Sequence, residues 1–144
     1  EPLIGPMRAR GRGTIALMSS LAGLRPIPDM PAYSASKAGL MGYGAALRPW
    51  LKPAGVHVAV ICPGFVTTPM SARHRGFKPF EISPERAAAA TLRGLARRRA
   101  LIAFPWPLAA LAWIDSRLLP PALSDLFGSG FAAEIEPDPE SRRR

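Results

Sequence analysis

The sequence predicts an α/β fold, a doubly wound parallel sheet of which this chain carries the C-terminal half. Two apolar runs without alternation, at 14–18 (TIALM) and 56–61 (VHVAVI), have the composition of central strands covered on both faces. Segments of helical character follow each run, near 32–51 and from Ser83, so strands and helices alternate. No glycine-rich loop follows a strand and no acidic residue is placed to read a ribose, so the phosphate-binding first half of a nucleotide fold is missing.

The first stretch, 3–10, reads as the end of a helix, broken by Gly11 and Gly13. The first strand follows and ends at Ser19 and Ser20, at the edge where open α/β sheets place ligands. Gly23, Pro26, Pro28 and Pro31 then make a stiff loop. In the helix expected at 32–51, Tyr33 and Lys37 lie one turn apart and share a face. A free tyrosine, with a pKa of roughly 10, exchanges protons poorly at neutral pH; a nearby ammonium brings it into range.

Gly39, Gly42 and Gly44 give this helix a smooth face, suited equally to the sheet or to another helix, and Pro49 is expected to kink or end it. Gly55 precedes the second strand, on which His57 is expected at a rim and Cys62 in the core. Residues 65–78 are polar and basic and read as a flap. Ser83-Pro84-Glu85 is a helix start: a serine cap, proline at the first position and an acid near the positive end of the dipole. Residues 101–104 form a short edge strand.

Three motifs stand in order: Ser20 within Met-Ser-Ser-Leu-Ala-Gly, then Tyr33-Ser-Ala-Ser-Lys37, then Pro63-Gly-Phe-Val-Thr-Thr-Pro-Met70. In this set the sequence resembles the short-chain dehydrogenase/reductase family, as the C-terminal portion of a single-domain member. The resemblance implies a Rossmann-like sheet over 1–104 and a site of Ser20, Tyr33 and Lys37, selecting Ser20 over Ser19, which is left a structural role. It implies NAD or NADP as cofactor, with Tyr33 and Lys37 beside the nicotinamide ribose and Pro63, Gly64, Val66 and Thr68 facing the nicotinamide. It further implies an alcohol or carbonyl substrate and a homo-oligomer formed through the Tyr33–Lys37 helix. The family's catalytic asparagine would lie upstream of Glu1, so the sequence reads as a fragment of a longer protein or the product of a truncated gene.

Residues 105–133 are expected to form an apolar helical extension. Pro107, Asp115, Arg117, Pro120 and Pro121 interrupt it, which excludes a spanning helix and leaves amphipathic helices that pack on the domain, cover the substrate mouth or touch a membrane surface. Residues 134–144 read as a disordered charged tail. The formal charge is +9, but the arginines fall in separate clusters without interleaved aromatics, which argues against nucleic acid. Cys62 is the single cysteine, consistent with a reducing, cytoplasmic setting, and no grouping of metal ligands occurs. The leading expectation is an oxidoreductase. The alternatives are a non-catalytic remnant acting through helix–helix or membrane-surface association, and an enzyme epimerising or dehydrating a nucleotide sugar; the Pro63–Met70 motif argues against the last.

Overall fold

The computed structural model describes residues 2–128 and 134–135. Its centre is a parallel sheet of β1 (Gly13–Met18), β2 (Val56–Pro63) and β4 (Leu101–Phe104), with β2 in the middle. Gly13 pairs with Val56 and Met18 with Ile61; on the other edge Val60 pairs with Leu101 and Pro63 with Phe104. Helix α1 (Ile4–Ala9) precedes β1, and α2 (Pro31–Leu51) connects β1 to β2. After β2 come α3 (Pro69–Ala72), β3 (His74–Arg75) and α4 (Pro84–Ala96); after β4 come α5 (Trp106–Leu118) and α6 (Pro121–Gly128).

Winding on both faces follows from the side chains of β2. Val56 and Val58 pack with Ile4, Leu47 and Leu51 of α1 and α2, and Val60 and Cys62 join Leu21 and Leu108 on that face. Ala59 and Ile61 point the other way, to Ile102, Phe104 and the α4 residues Ala87 and Ala90. Val58, Cys62 and Leu51 are almost wholly removed from water; each such aliphatic side chain contributes about 1.5–3 kcal/mol by burial.

Strand β1 departs from the expectation of burial on both faces. Ile15 and Leu17 pack toward α1 and α2, whereas Thr14, Ala16 and Met18 alternate with them and are exposed, Met18 by 53 %. The α4 cluster is built on β2 and β4, so among the described residues only one face of β1 is covered.

Pro49 does not end α2, which runs two residues further to Leu51 and passes into a short 3-10 turn, Lys52–Ala54. Gly55 closes that turn in the left-handed region (φ 69°), and a Cβ there would overlap the Gly11 carbonyl oxygen. This glycine is therefore required both by backbone conformation and by a close approach.

The three glycines of α2 behave differently. Gly44 is buried against Val60 and Leu17, where an added Cβ would overlap a Val60 methyl, whereas Gly39 and Gly42 face open space. The sheet thus accounts for one glycine and leaves two on the outer surface.

The Ser83 cap forms as expected, its Oγ accepting from the Arg86 amide at 3.4 Å. That hydroxyl also holds the Glu85 carboxyl below its ordinary range by hydrogen bonding. In the tail, Glu134 and Ile135 pair antiparallel with Arg75 and His74 as a two-residue strand, β5. The rest of 129–144 lies outside the described residues, including most of the stretch expected to be disordered. No helix among the described residues is long and apolar enough to cross a membrane.

Candidate active site at the strand ends

Beyond β1 the two serines divide the work. Ser19 is buried; its amide donates to the Ile61 carbonyl at 2.8 Å and its hydroxyl to the Lys37 carbonyl at 2.8 Å, locking the strand end to α2. Ser20, extended at φ −161° and ψ 162°, caps the 3-10 turn Leu21–Gly23 by accepting from the Ala22 amide at 3.1 Å. Its hydroxyl reaches the Pro63 carbonyl across the ends of β1 and β2, at 3.4 Å.

The turn after Ser20 is pressed onto α2 at Lys37. A Cβ on Gly23 would stand 2.8 Å from the Lys37 carbonyl carbon and oxygen, so only glycine permits the approach. The proline loop is tied down in the same way: Ser34, buried on α2, accepts from the Ile27 amide at 3.0 Å. Neither contact was visible in the sequence, where Gly23 and Ser34 read as ordinary loop and helix residues.

Lys37 bridges α2 and the sheet. Its Nζ donates to the Met18 carbonyl at 3.0 Å and lies 5.4 Å from the centre of the Tyr33 ring. The one-turn spacing therefore does place phenol and ammonium side by side, beside the strand end that carries Ser20. An ammonium has three donors; the Met18 carbonyl takes one of them. Ser20 and Lys37 are thus bonded to backbone at the C-terminal ends of β1 and β2, the edge at which open parallel sheets bind ligands, and the Tyr33 ring lies beside Lys37.

The third motif divides. Pro63 contacts Ser20, and Gly64 sits directly after β2, its amide donating to the Phe104 carbonyl at 2.7 Å. A Cβ on Gly64 would meet Leu108 at 2.9 Å, so this glycine is also needed to seat α5. Val66 instead bridges to Ile82, and the Thr68 hydroxyl accepts from the Ser71 amide at 3.1 Å. No hydrogen bond among the described residues joins Thr68 to the Ser20–Lys37 group. The segment expected to be a flap holds α3 and β3 and is cross-linked by Ser71 Oγ to Glu81 at 3.2 Å and by Lys78 to the Ser71 carbonyl.

The apolar extension is bound to the loop beside the site. Leu108 and Ala109 of α5 pack on Leu21, Leu24 and Met41. Arg25 of the proline loop forms an ion pair with Asp115 of α5 and bonds the Ser124 carbonyl of α6, while the Ser124 hydroxyl donates to Asp115 at 3.0 Å. Asp115, which in the sequence only interrupts an apolar run, is the anchor of the extension; a lone acid opposite a lone arginine was the available signal.

Cys62 lies in the core, its thiol pushed up by burial, with the Ser19 hydroxyl acting in the opposite direction. It is a packing residue rather than a nucleophile. No cluster of three or more metal-ligating side chains exists among the described residues.

The fold is a Rossmann-like α/β arrangement, a parallel sheet with helices on both faces. The short chain dehydrogenase family model matches residues 2–78, and the chain belongs to that family. It is 37 % identical over 120 residues to an uncharacterised oxidoreductase of Mycobacterium tuberculosis, a match covering 82 % of this chain and 47 % of the relative. A shorter match, 52 % identical over 60 residues, is to the mouse 15-hydroxyprostaglandin dehydrogenase [NAD(+)], covering 40 % of this chain and 22 % of that protein. In three dimensions it is similar to a short chain dehydrogenase from Burkholderia cenocepacia in complex with NADP, with a TM-score of 0.68 and 24 % identity over 79 % of this chain and 46 % of that one. The chain spans about half the length of the curated relatives it matches over most of its own length.

Proposed function

We propose that this chain carries the proton-transfer half of an NAD(P)-dependent oxidoreductase acting on an alcohol or carbonyl compound. The observation that carries the proposal is the Lys37 ammonium held beside the Tyr33 ring at the strand end that presents Ser20. Tyr33 donates a proton to the substrate oxygen in reduction and takes it back in oxidation. Ser20 holds that oxygen as negative charge develops. Lys37 supplies the positive charge next to the phenol, and its anchoring to Met18 fixes where that charge sits.

The donor set fits the nicotinamide end of a dinucleotide: a lysine with donors to spare for ribose hydroxyls, and the backbone of Pro63, Gly64 and Val66 with the Thr68 hydroxyl for the carboxamide. A bound nicotinamide supplies or accepts the hydride. The sequence holds no glycine loop after a strand for the pyrophosphate, and the chain spans about half the length of the curated relatives it matches, so the proposal is for a protein in which such a loop accompanies these residues. The relatives' names support both cofactor and reaction class: one is an NAD(+) dehydrogenase and one binds NADP.

The test is the change at the reduced-nicotinamide absorbance band when the complete gene product meets a panel of ketones and secondary alcohols. Turnover that survives Tyr33→Phe would exclude Tyr33 as the proton donor.

A second reading has its own support. Gly39 and Gly42 lie open on the outer face of α2, and Trp106, Leu111, Trp113 and Leu118 are exposed on α5. Those surfaces suit a second copy along α2 and, for α5, a membrane surface. In a chain that does not turn over, they make association the function; sedimentation with and without lipid vesicles separates the two partners.

A further inference from the structure

The C-terminal extension reaches the Ser20 hydroxyl through an unbroken set of contacts. Leu108 and Asp115 of α5 are two helical turns apart and share a face. Leu108 packs on Leu21 and Asp115 pairs with Arg25, so both ends of one short stretch, 21–25, are held by one face of one helix. Between those ends the Leu24 and Arg25 amides both donate to the Leu21 carbonyl at 2.9 Å, which closes the turn. The Ala22 amide, inside that turn, donates to Ser20 Oγ at 3.1 Å.

Arg25 is bonded at each of its three guanidinium nitrogens: Nε to Asp115, Nη2 to the Ser124 carbonyl of α6, and Nη1 to the Pro26 carbonyl at 3.3 Å. Asp115 also accepts from the Ser124 hydroxyl at 3.0 Å. The Arg25 and Asp115 side chains are only 22 % and 12 % exposed, so this is not the solvated surface pair that contributes little. A planar guanidinium held at every nitrogen fixes the backbone that carries it.

The bond from Ala22 bears directly on the serine. A hydroxyl oxygen has two acceptor sites and one proton. The amide takes one acceptor site, and the proton points out of the turn, to the Pro63 carbonyl at 3.4 Å. That bond is long, and a better-placed acceptor at the strand ends displaces it.

We propose that Arg25 is a positioning residue for Ser20, set in place by Asp115 of the extension. The ion pair holds the turn, the turn's Ala22 amide orients the Ser20 hydroxyl, and the hydroxyl keeps its proton directed at the substrate oxygen. The inference rests on the reading of Ser20 as the group that holds that oxygen, and the experiment separates the two.

Asp115→Asn removes the charge at nearly constant shape. In the chain as it stands, amide hydrogen exchange read residue by residue is expected to quicken by about tenfold at Ala22, Leu24 and Arg25 and to stay unchanged in β2. In the complete gene product the same substitution is expected to lower kcat by about tenfold, with the substrate KM changed by less than about twofold, because the hydroxyl acts on charge that develops only during the reaction. The decisive arm is coupling. In a Ser20→Ala background no hydroxyl is left to orient, so Asp115→Asn and Arg25→Gln are each expected to cost nothing further. Asp125→Asn, at an exposed acid of the same extension outside the pair, leaves exchange and kcat at parent values.

Losses that are equal with and without the Ser20 hydroxyl, or exchange that quickens throughout β2, would reduce the pair to a structural tie and overturn the proposal. Quickened exchange at 22–25 with unchanged kcat would overturn it too, while leaving the oxidoreductase reading intact. A complete gene product without turnover, or equal kcat in parent and Ser20→Ala, refutes the reading of Ser20 itself and this role with it.

Discussion

The two ends of one sheet are built on opposite terms. At the C-terminal ends of the strands, three donors each have a backbone carbonyl: Ser19 takes that of Lys37, Ser20 that of Pro63, and Lys37 that of Met18. At the N-terminal end, Arg48, Lys52 and Arg98 line a cavity with no acidic partner. The first arrangement ties its side chains to the backbone; the second leaves Arg48, Lys52 and Arg98 exposed to solvent.

The largest expected effect is at the proposed catalytic end. Tyr33→Phe is expected to lower kcat of the complete gene product by about 10²–10⁴-fold with the fold intact, as read by steady-state kinetics beside circular dichroism. At the scaffold beneath it, Gly44→Ala drives a methyl into Val60 and Leu17 and should cost about 1–3 kcal/mol in urea unfolding. The same change at Gly39 or Gly42, which face open space, should instead gain up to about 1 kcal/mol. If either one dissociates an oligomer, that face of α2 is the subunit contact.

Ser19→Ala removes the hydroxyl donor to the Lys37 carbonyl, which keeps its place in the helix ladder, a loss of about 0.5–1.5 kcal/mol. It should also loosen Lys37, so kcat falls while the substrate KM changes less; equal kcat in mutant and parent would show that the serine only holds the fold. The smallest effect belongs to the other end. Burial first, and Arg98 second, hold the His57 pKa below 6.5, so the unfolded chain takes up its proton before the folded one does. Stability should therefore fall as pH drops through 6.5 toward the folded value and level off below it. His57→Gln is expected to flatten that slope in thermal melts across the same range.

Much of this fold was legible because its signals are local. The runs at β1 and β2, the Ser83-Pro84 helix start and the Tyr33–Lys37 spacing depend only on residues a few positions apart, and all four form where expected. The reading went astray where a neighbour decides. Apolar composition alone suggested two covered faces for β1, but what covers a face is another element, and here α4 lies over β2 and β4. Where α2 stops after Pro49 is also decided by its surroundings: the helix runs on to Leu51, buried in the core, before the 3-10 turn takes over. The Glu134–Ile135 pairing with β3 falls inside a stretch whose composition spoke only of disorder.

By itself, then, the sequence determined the strand and helix periods, the caps, and a phenol and an ammonium one turn apart, because covalent order sets those distances. Only the tertiary structure decided that Gly44 meets the sheet while Gly39 and Gly42 do not, that Asp115 anchors to Arg25 across 90 residues of chain, and that Arg98 shares a cavity with Arg48. Those outcomes depend on which surfaces are brought together by burying apolar area, and no window of neighbouring residues contains that information.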